Sequence, residues 1–267
     1  MKKEIVILER IHNDGLKIIS KFAKLKYLLG SKRIQYLNKI NSCYGVIIKS
    51  ATIIDKEFLN KAKNLKVVLR AGTGLDNIDL DLLKKKKIKL ISVPNANSIS
   101  AAEFTIMQIL FLCRRLPEIY PKLIKKDYRR HLFEGYELRN LSVGIVGMGN
   151  IGYEVAKRLK PFGCKIYAFD KKSKKKKQFK KLGGEFVNSI ESLISKVNIL
   201  TLHCSLNNLN HHLIGNKEFN RIKKNLLLIN CARAELIDNK ALVNAIKKGK
   251  VLNAAIDVIN PEPNYDK

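Results

Sequence analysis

The stretch VGIVGMGNIG, residues 143–152, decides the fold. Gly147, Gly149 and Gly152 form a G-x-G-x-x-G pattern between an apolar strand-like run and the start of a helix. In that setting Gly147 permits a tight turn, Gly149 lets backbone approach a pyrophosphate, and Gly152 lets the helix pack close to the strand. The amides of Asn150 and Ile151 then point at the phosphates, helped by the helix dipole. Asp170 ends the next apolar run, IYAFD, where a carboxylate is expected to bond the adenosine ribose hydroxyls. It favours NAD over the 2′-phosphorylated dinucleotide, a preference that the adjacent Lys171 and Lys172 soften.

Working outward, apolar runs alternate with helix-like segments. EIVIL (4–8), GVIIK (45–49), VVLR (67–70) and IKLISV (88–93) precede the glycine motif, with EFLNKAKN (57–64) and DLDLLKKK (79–86) between them as helices. A second series runs VGIVG, CKIYAFD, KVNILTL, NLLLIN and VLNAAIDV. Strands alternating with helices imply parallel sheets covered on both faces. The expected fold is therefore α/β, with two doubly wound Rossmann- or flavodoxin-like domains at 1–96 and 97–267. SISAAEFTIMQILFLCRRL (98–116) reads as one long helix, capped by Ser98 or Ser100 and ended by Pro117.

Composition narrows the alternatives. Hydrophobic residues make up 46% of 267, enough for a folded core. No apolar run reaches membrane-span length, and the N-terminal apolar stretch is short for a secretory leader, so a cytoplasmic protein is expected. Cys43, Cys113, Cys164, Cys204 and Cys231 show no C-x-x-C pair and read as free thiols. The formal charge of +29 comes mostly from Lys, which is plentiful alongside Ile and Asn. Those three share A/T-rich codons, and no basic-plus-aromatic module accompanies the Lys runs at 84–87 and 174–177. A specific nucleic-acid site is disfavoured. His203, Cys204, His211 and His212 fit no standard zinc spacing, and no metal is expected.

Five motifs carry a resemblance: RAGTGLDNIDL (70–80), VPNANSISAAE (93–103), VGIVGMGNIG (143–152), NCARAELID (230–238) and AAIDVINPEP (254–263). In that order they resemble the D-isomer-specific 2-hydroxyacid dehydrogenases, the first two being closest to the branch acting on D-3-phosphoglycerate. The resemblance implies hydride transfer between NAD and C2 of a D-2-hydroxy acid held in a cleft between the domains. It makes Arg233 the catalytic arginine and Glu262 the carboxylate that pairs with a catalytic histidine. It sets Thr73, Cys204, Cys231, Ala232 and Asp257 beside the cofactor. Lys49, Ser50, Gly72 and Gly74 fall in substrate loops, although Lys49 reads equally as a solvated surface residue. Ala234 and Glu235 follow Arg233 where the family usually has Gly first. None of the five histidines matches the catalytic one. That histidine, the last strand of the second domain and the segment returning to the first are expected beyond residue 267, so turnover by this chain should be residual. A glyoxylate or hydroxypyruvate reductase and a non-catalytic NAD-binding regulator are the alternatives. The 98–116 helix and the connector KDYRRHLFEGYEL (126–138) resemble the family's dimer-forming region, which implies a homodimer.

Overall fold

The computed structural model describes residues 2–223 and 225–260. The chain divides between Asn97 and Ser98 into two units, each with its own parallel sheet.

In unit 1 the strands are β1 (Lys3–Ile7), β2 (Ala23–Tyr27), β3 (Gly45–Ile48), β4 (Val67–Arg70) and β5 (Lys89–Ser92). They are ordered β2-β1-β3-β4-β5 and all pair in parallel. Central β3 is buried at every position, which is why its sequence is continuously apolar. Val6, Val46, Ile48 and Val68 meet Phe58 from the helix Lys56–Lys61 in one core. Asp55 caps that helix through Phe58 N, and Asp79 caps Leu80–Lys85 through Leu82 N. Edge strand β2 was not anticipated from sequence. Its apolar residues alternate with Lys, because only part of this edge is covered.

In unit 2 the strands are β6 (Ser142–Val146), β7 (Lys165–Phe169), β8 (Glu185–Phe186), β9 (Ile199–Leu202), β10 (Leu226–Asn230) and β11 (Val251–Ile256). Their order is β11-β10-β9-β6-β7-β8, again parallel throughout. Both sheets are doubly wound. The helix Ser98–Cys113 packs its buried Ala102, Ile109 and Leu112 into a cluster shared with Val155 and Leu159 of the helix Asn150–Leu159.

One helix boundary differs from expectation. The helix from Ser98 stops at Cys113, not at 116, and Arg115 turns left-handed at φ 55° before a second helix, Leu116–Ile124. Pro117 sits in the first turn of that second helix and begins it rather than ending the first. The first-turn amides of a helix have no internal acceptor, so proline loses nothing there.

Phe179 is fully buried behind β7 and meets the Phe186 ring edge-on at 5.1 Å between centroids. Phe179→Ala should lower the unfolding free energy by about 3–5 kcal/mol. Urea unfolding followed by circular dichroism would show it, and a loss under about 1 kcal/mol would contradict the core assigned here.

Candidate active site

In unit 2 the strand order reverses between β6 and β9. A doubly wound sheet opens a ligand crevice at the carboxyl ends of two such strands. The glycine turn leaves β6 at this point. Gly147 has φ 92°, and a Cβ there would meet Cys204 N at 2.6 Å and the His203 carbonyl carbon at 2.7 Å. His203 N in turn donates to Val146 O at 2.7 Å, so the two strand ends are sealed together. A Cβ on Gly152 would strike Gly147 O, which fixes how closely the helix Asn150–Leu159 approaches the turn. Gly149 is different. It precedes the helix at φ −80° and ψ −152°, and its missing Cβ faces open space.

That space belongs to a pocket of about 410 Å³ lined by Gly147, Gly149, Asp170, Lys171, Lys172 and Cys204, among others. Asp170 is held by the turn it serves. Its Oδ2 accepts from Met148 N and its Oδ1 from Lys172 N, both at 2.8 Å. Each oxygen keeps a lone pair for a ribose hydroxyl. Asn150 and Ile151 open the helix, where first-turn amides have no internal acceptor. A pyrophosphate and an adenosine ribose fit these residues: a side chain at Gly149 would fill the space the phosphates need.

Two wall residues have shifted protonation. Burial pushes the Cys204 thiol up to about 11, so it is no nucleophile at neutral pH. Burial pushes His203 down to about 4, and its Nε2 shares a hydrogen bond with the Thr201 hydroxyl at 2.9 Å. The ring is neutral at pH 7.

Arg233, Cys231, Ala232 and Asp257 do not line that pocket. They follow β10 and β11, on the same carboxyl edge of the sheet. Asn230, fully buried at the end of β10, organises them. Its Oδ1 accepts from Ala232 N at 3.0 Å, its Nδ2 donates to Arg233 O at 2.8 Å, and its carbonyl accepts from Asp257 N at 3.0 Å. Sequence reading passed over Asn230. Its cue was a single amide residue ending an otherwise apolar strand. The half-buried Arg233 donates from Nη1 to Ala232 O at 2.7 Å. Ala234, in the family's usual glycine position, is buried in the short turn Ala234–Leu236, so a Cβ is accommodated. Burial raises the Cys231 thiol to about 11. Glu262 lies outside the described residues.

In unit 1, Gly72 and Gly74 follow β4, where the buried Arg70 donates from Nη1 to Ala71 O at 3.0 Å and lies against Gly72. The Thr73 hydroxyl is shared between Pro94 O and Asn97 Oδ1 at 3.0 and 2.9 Å. Lys49 and Ser50 are exposed after β3.

Residues 106–267 match the family model described as D-isomer specific 2-hydroxyacid dehydrogenase, NAD binding domain. The chain belongs to this family. It is 35% identical over 263 residues to D-3-phosphoglycerate dehydrogenase of Methanocaldococcus jannaschii, a match covering 98% of this chain and 50% of the relative. It is 30% identical over 276 residues to glyoxylate reductase of Thermococcus litoralis, covering 100% of this chain and 83% of that one. Among solved structures it superposes on D-lactate dehydrogenase from Aquifex aeolicus complexed with NAD and lactic acid. The TM-score is 0.87 and the identity 26%, covering 96% of this chain and 77% of that one. The chain spans about half the length of the phosphoglycerate dehydrogenases it matches. Unit 2 thus carries the family's cofactor domain. Among the described residues, no helix is long and apolar enough to cross a membrane.

Gly149→Val should leave the melting temperature nearly unchanged and weaken NADH binding at least about tenfold, because the new side chain enters the phosphate space. Calorimetric titration with thermal melts checks both halves, and unimpaired binding would show that the phosphates lie elsewhere. His203 makes a separate prediction. Its folded pKa lies below the unfolded value, so the unfolded chain takes the proton first as pH falls. Its contribution is intact above about 6.5 and is lost progressively toward about 4. His203→Gln should flatten the fall of stability with pH across that window in denaturant titrations. An unchanged slope would contradict a neutral buried ring.

Proposed function

We propose that the chain binds NAD(H) at the Gly147–Gly152 turn and serves reversible oxidation of a D-2-hydroxy acid to its 2-keto acid, D-3-phosphoglycerate being the favoured acid. The observation that carries this reading is the open space beside Gly149, adjoining a carboxylate fixed for the ribose. When bound, the nicotinamide supplies the acceptor or donor for the hydride at C2. The chain's residues do the rest. Asp170 holds the adenosine ribose through its free lone pairs, while the 150–151 amides meet the pyrophosphate. Arg233 grips the acid carboxylate with its planar donor fork and polarises the adjacent carbonyl. Asn230 holds the Arg233 backbone while that happens. Glu262 serves the proton-transfer group that takes the hydroxyl proton. Lys49, Ser50, Gly72 and Gly74 receive the acid's far end, and Thr73, Cys204, Cys231, Ala232 and Asp257 flank the cofactor. The cationic Lys49 suits a phosphorylated acid. A homodimer working in the cytoplasm completes the reading.

The preference for phosphoglycerate is supported by the phosphoglycerate dehydrogenases among the relatives. A glyoxylate reductase is the second reading, favoured by a relative of that name matched along most of its length. Consumption of NADH, followed by its absorbance, with 3-phosphohydroxypyruvate or glyoxylate as the keto acid reduced separates them. Higher kcat/KM for glyoxylate would reverse the order. Arg233→Lys keeps the charge but loses the fork, and should lower kcat about 10²-fold or more while NADH affinity stays within about twofold. Activity near that of the unsubstituted chain would remove Arg233 from the reaction.

A further inference from the structure

Unit 1 has a reversal of strand order as well, between β1 and β3. In unit 2 the equivalent crevice is open and edged by glycine. In unit 1 it is filled from within. Glu9, just beyond β1, accepts three backbone amides of the loop after β3: Lys49 N at 2.7 Å and Thr52 N at 3.0 Å through Oε1, and Ala51 N at 3.2 Å through Oε2. Asn77 holds the same loop by its carbonyls. Its Nδ2 donates to Lys49 O at 2.8 Å and to Thr52 O at 2.6 Å. Its Oδ1 is buried with no hydrogen-bond partner, an unfavourable state accepted to keep both carbonyl bonds. Converging backbone amides are what such loops otherwise offer a phosphate or carboxylate ligand. Here an internal carboxylate has taken that place.

We propose that Glu9 and Asn77 are positioning residues for the acid. They occupy the loop's amides and carbonyls internally, so unit 1 receives the acid's anionic end through the exposed side chains of Lys49 and Ser50 and not through the amides of 49, 51 and 52. This rests on the function proposed above and deepens it. The loop crosses the crevice with both ends pinned, which fixes the backbone from which the flexible Lys49 side chain reaches. A long ammonium side chain loses much rotamer freedom on binding, and a fixed backbone keeps that loss from growing. Glu9 also sets a negative charge near the position an anion must take. For charge alone it has the wrong sign, so geometry is what it contributes.

That sign gives the test. Removing a negative charge near an anion site should tighten binding of 3-phosphoglycerate by Coulomb's law. Loss of a positioning group should weaken it. In the 267-residue chain, Glu9→Gln should weaken 3-phosphoglycerate binding roughly tenfold in calorimetric titration, with NADH affinity within about twofold. Asn77→Ala, which changes no charge, should shift binding in the same direction, and it carries the test should Glu9→Gln not fold. Where turnover is measurable, KM should rise with kcat little changed. Binding of the acid that either folded variant leaves intact or tightens overturns this inference alone. Failure of the unsubstituted chain to bind the acid, with NADH still bound, overturns the substrate reading and this inference together.

Discussion

The cofactor unit depends on an absent side chain. At Gly147 the turn leaving β6 presses on the backbone of His203 and Cys204 just beyond β9, at a separation no Cβ could share. That contact lets two parallel strands end side by side while the chain leaves them in opposite directions. The helix start, the Asp170 carboxylate and the open space at Gly149 all take their positions from it. Gly152 transmits the same constraint to the helix, since any side chain there would push against the Gly147 carbonyl. A substitution at either glycine therefore moves the whole wall of the pocket, whereas one at Gly149 would only fill it.

The polar groups at the strand ends follow a common logic. Three loops that bear candidate site residues are tied by side chains that bond the main chain more than once. Asp170 takes two amides, and Asn230 takes an amide and gives to a carbonyl. Glu9 takes three amides, and Asn77 gives to two carbonyls. Loops so held enter binding already ordered, so less conformational entropy is lost when a ligand arrives. The Cys204 thiol and the neutral imidazole of His203 add an uncharged wall to the pocket beside the glycine turn. The pocket keeps its fixed negative charge on Asp170 and its positive charge on the flanking Lys171 and Lys172.

The two sheets use one topological device for different ends. In unit 2 the crevice at the reversal is left free by glycine. In unit 1 an acidic residue of the same chain closes it. The difference lies in which residue follows the first strand of each unit: Gly147 after β6, but Leu8 and Glu9 after β1. A carboxylate reaching across to the neighbouring loop does locally what a bound anion would do, and it does so permanently.

The sequence by itself determined the α/β class, the doubly wound parallel character of the two units and the glycine turn with its acidic partner. Those are local patterns: apolar runs of strand length, a turn needing missing side chains, and one carboxylate at the next strand end. It also determined family membership, through motifs that read in order along the chain. Edge strand β2 escaped because its apolar residues alternate with lysine, and the break at Arg115 because proline both ends and begins helices. Only the tertiary structure decided that Asn230 staples the Arg233 loop and that Glu9 and Asn77 clamp residues 49–52. The Glu9 partners lie 40 to 43 residues away in the chain. No periodicity or spacing rule reaches that far, because the pairing exists only once parallel strands have brought their carboxyl ends together.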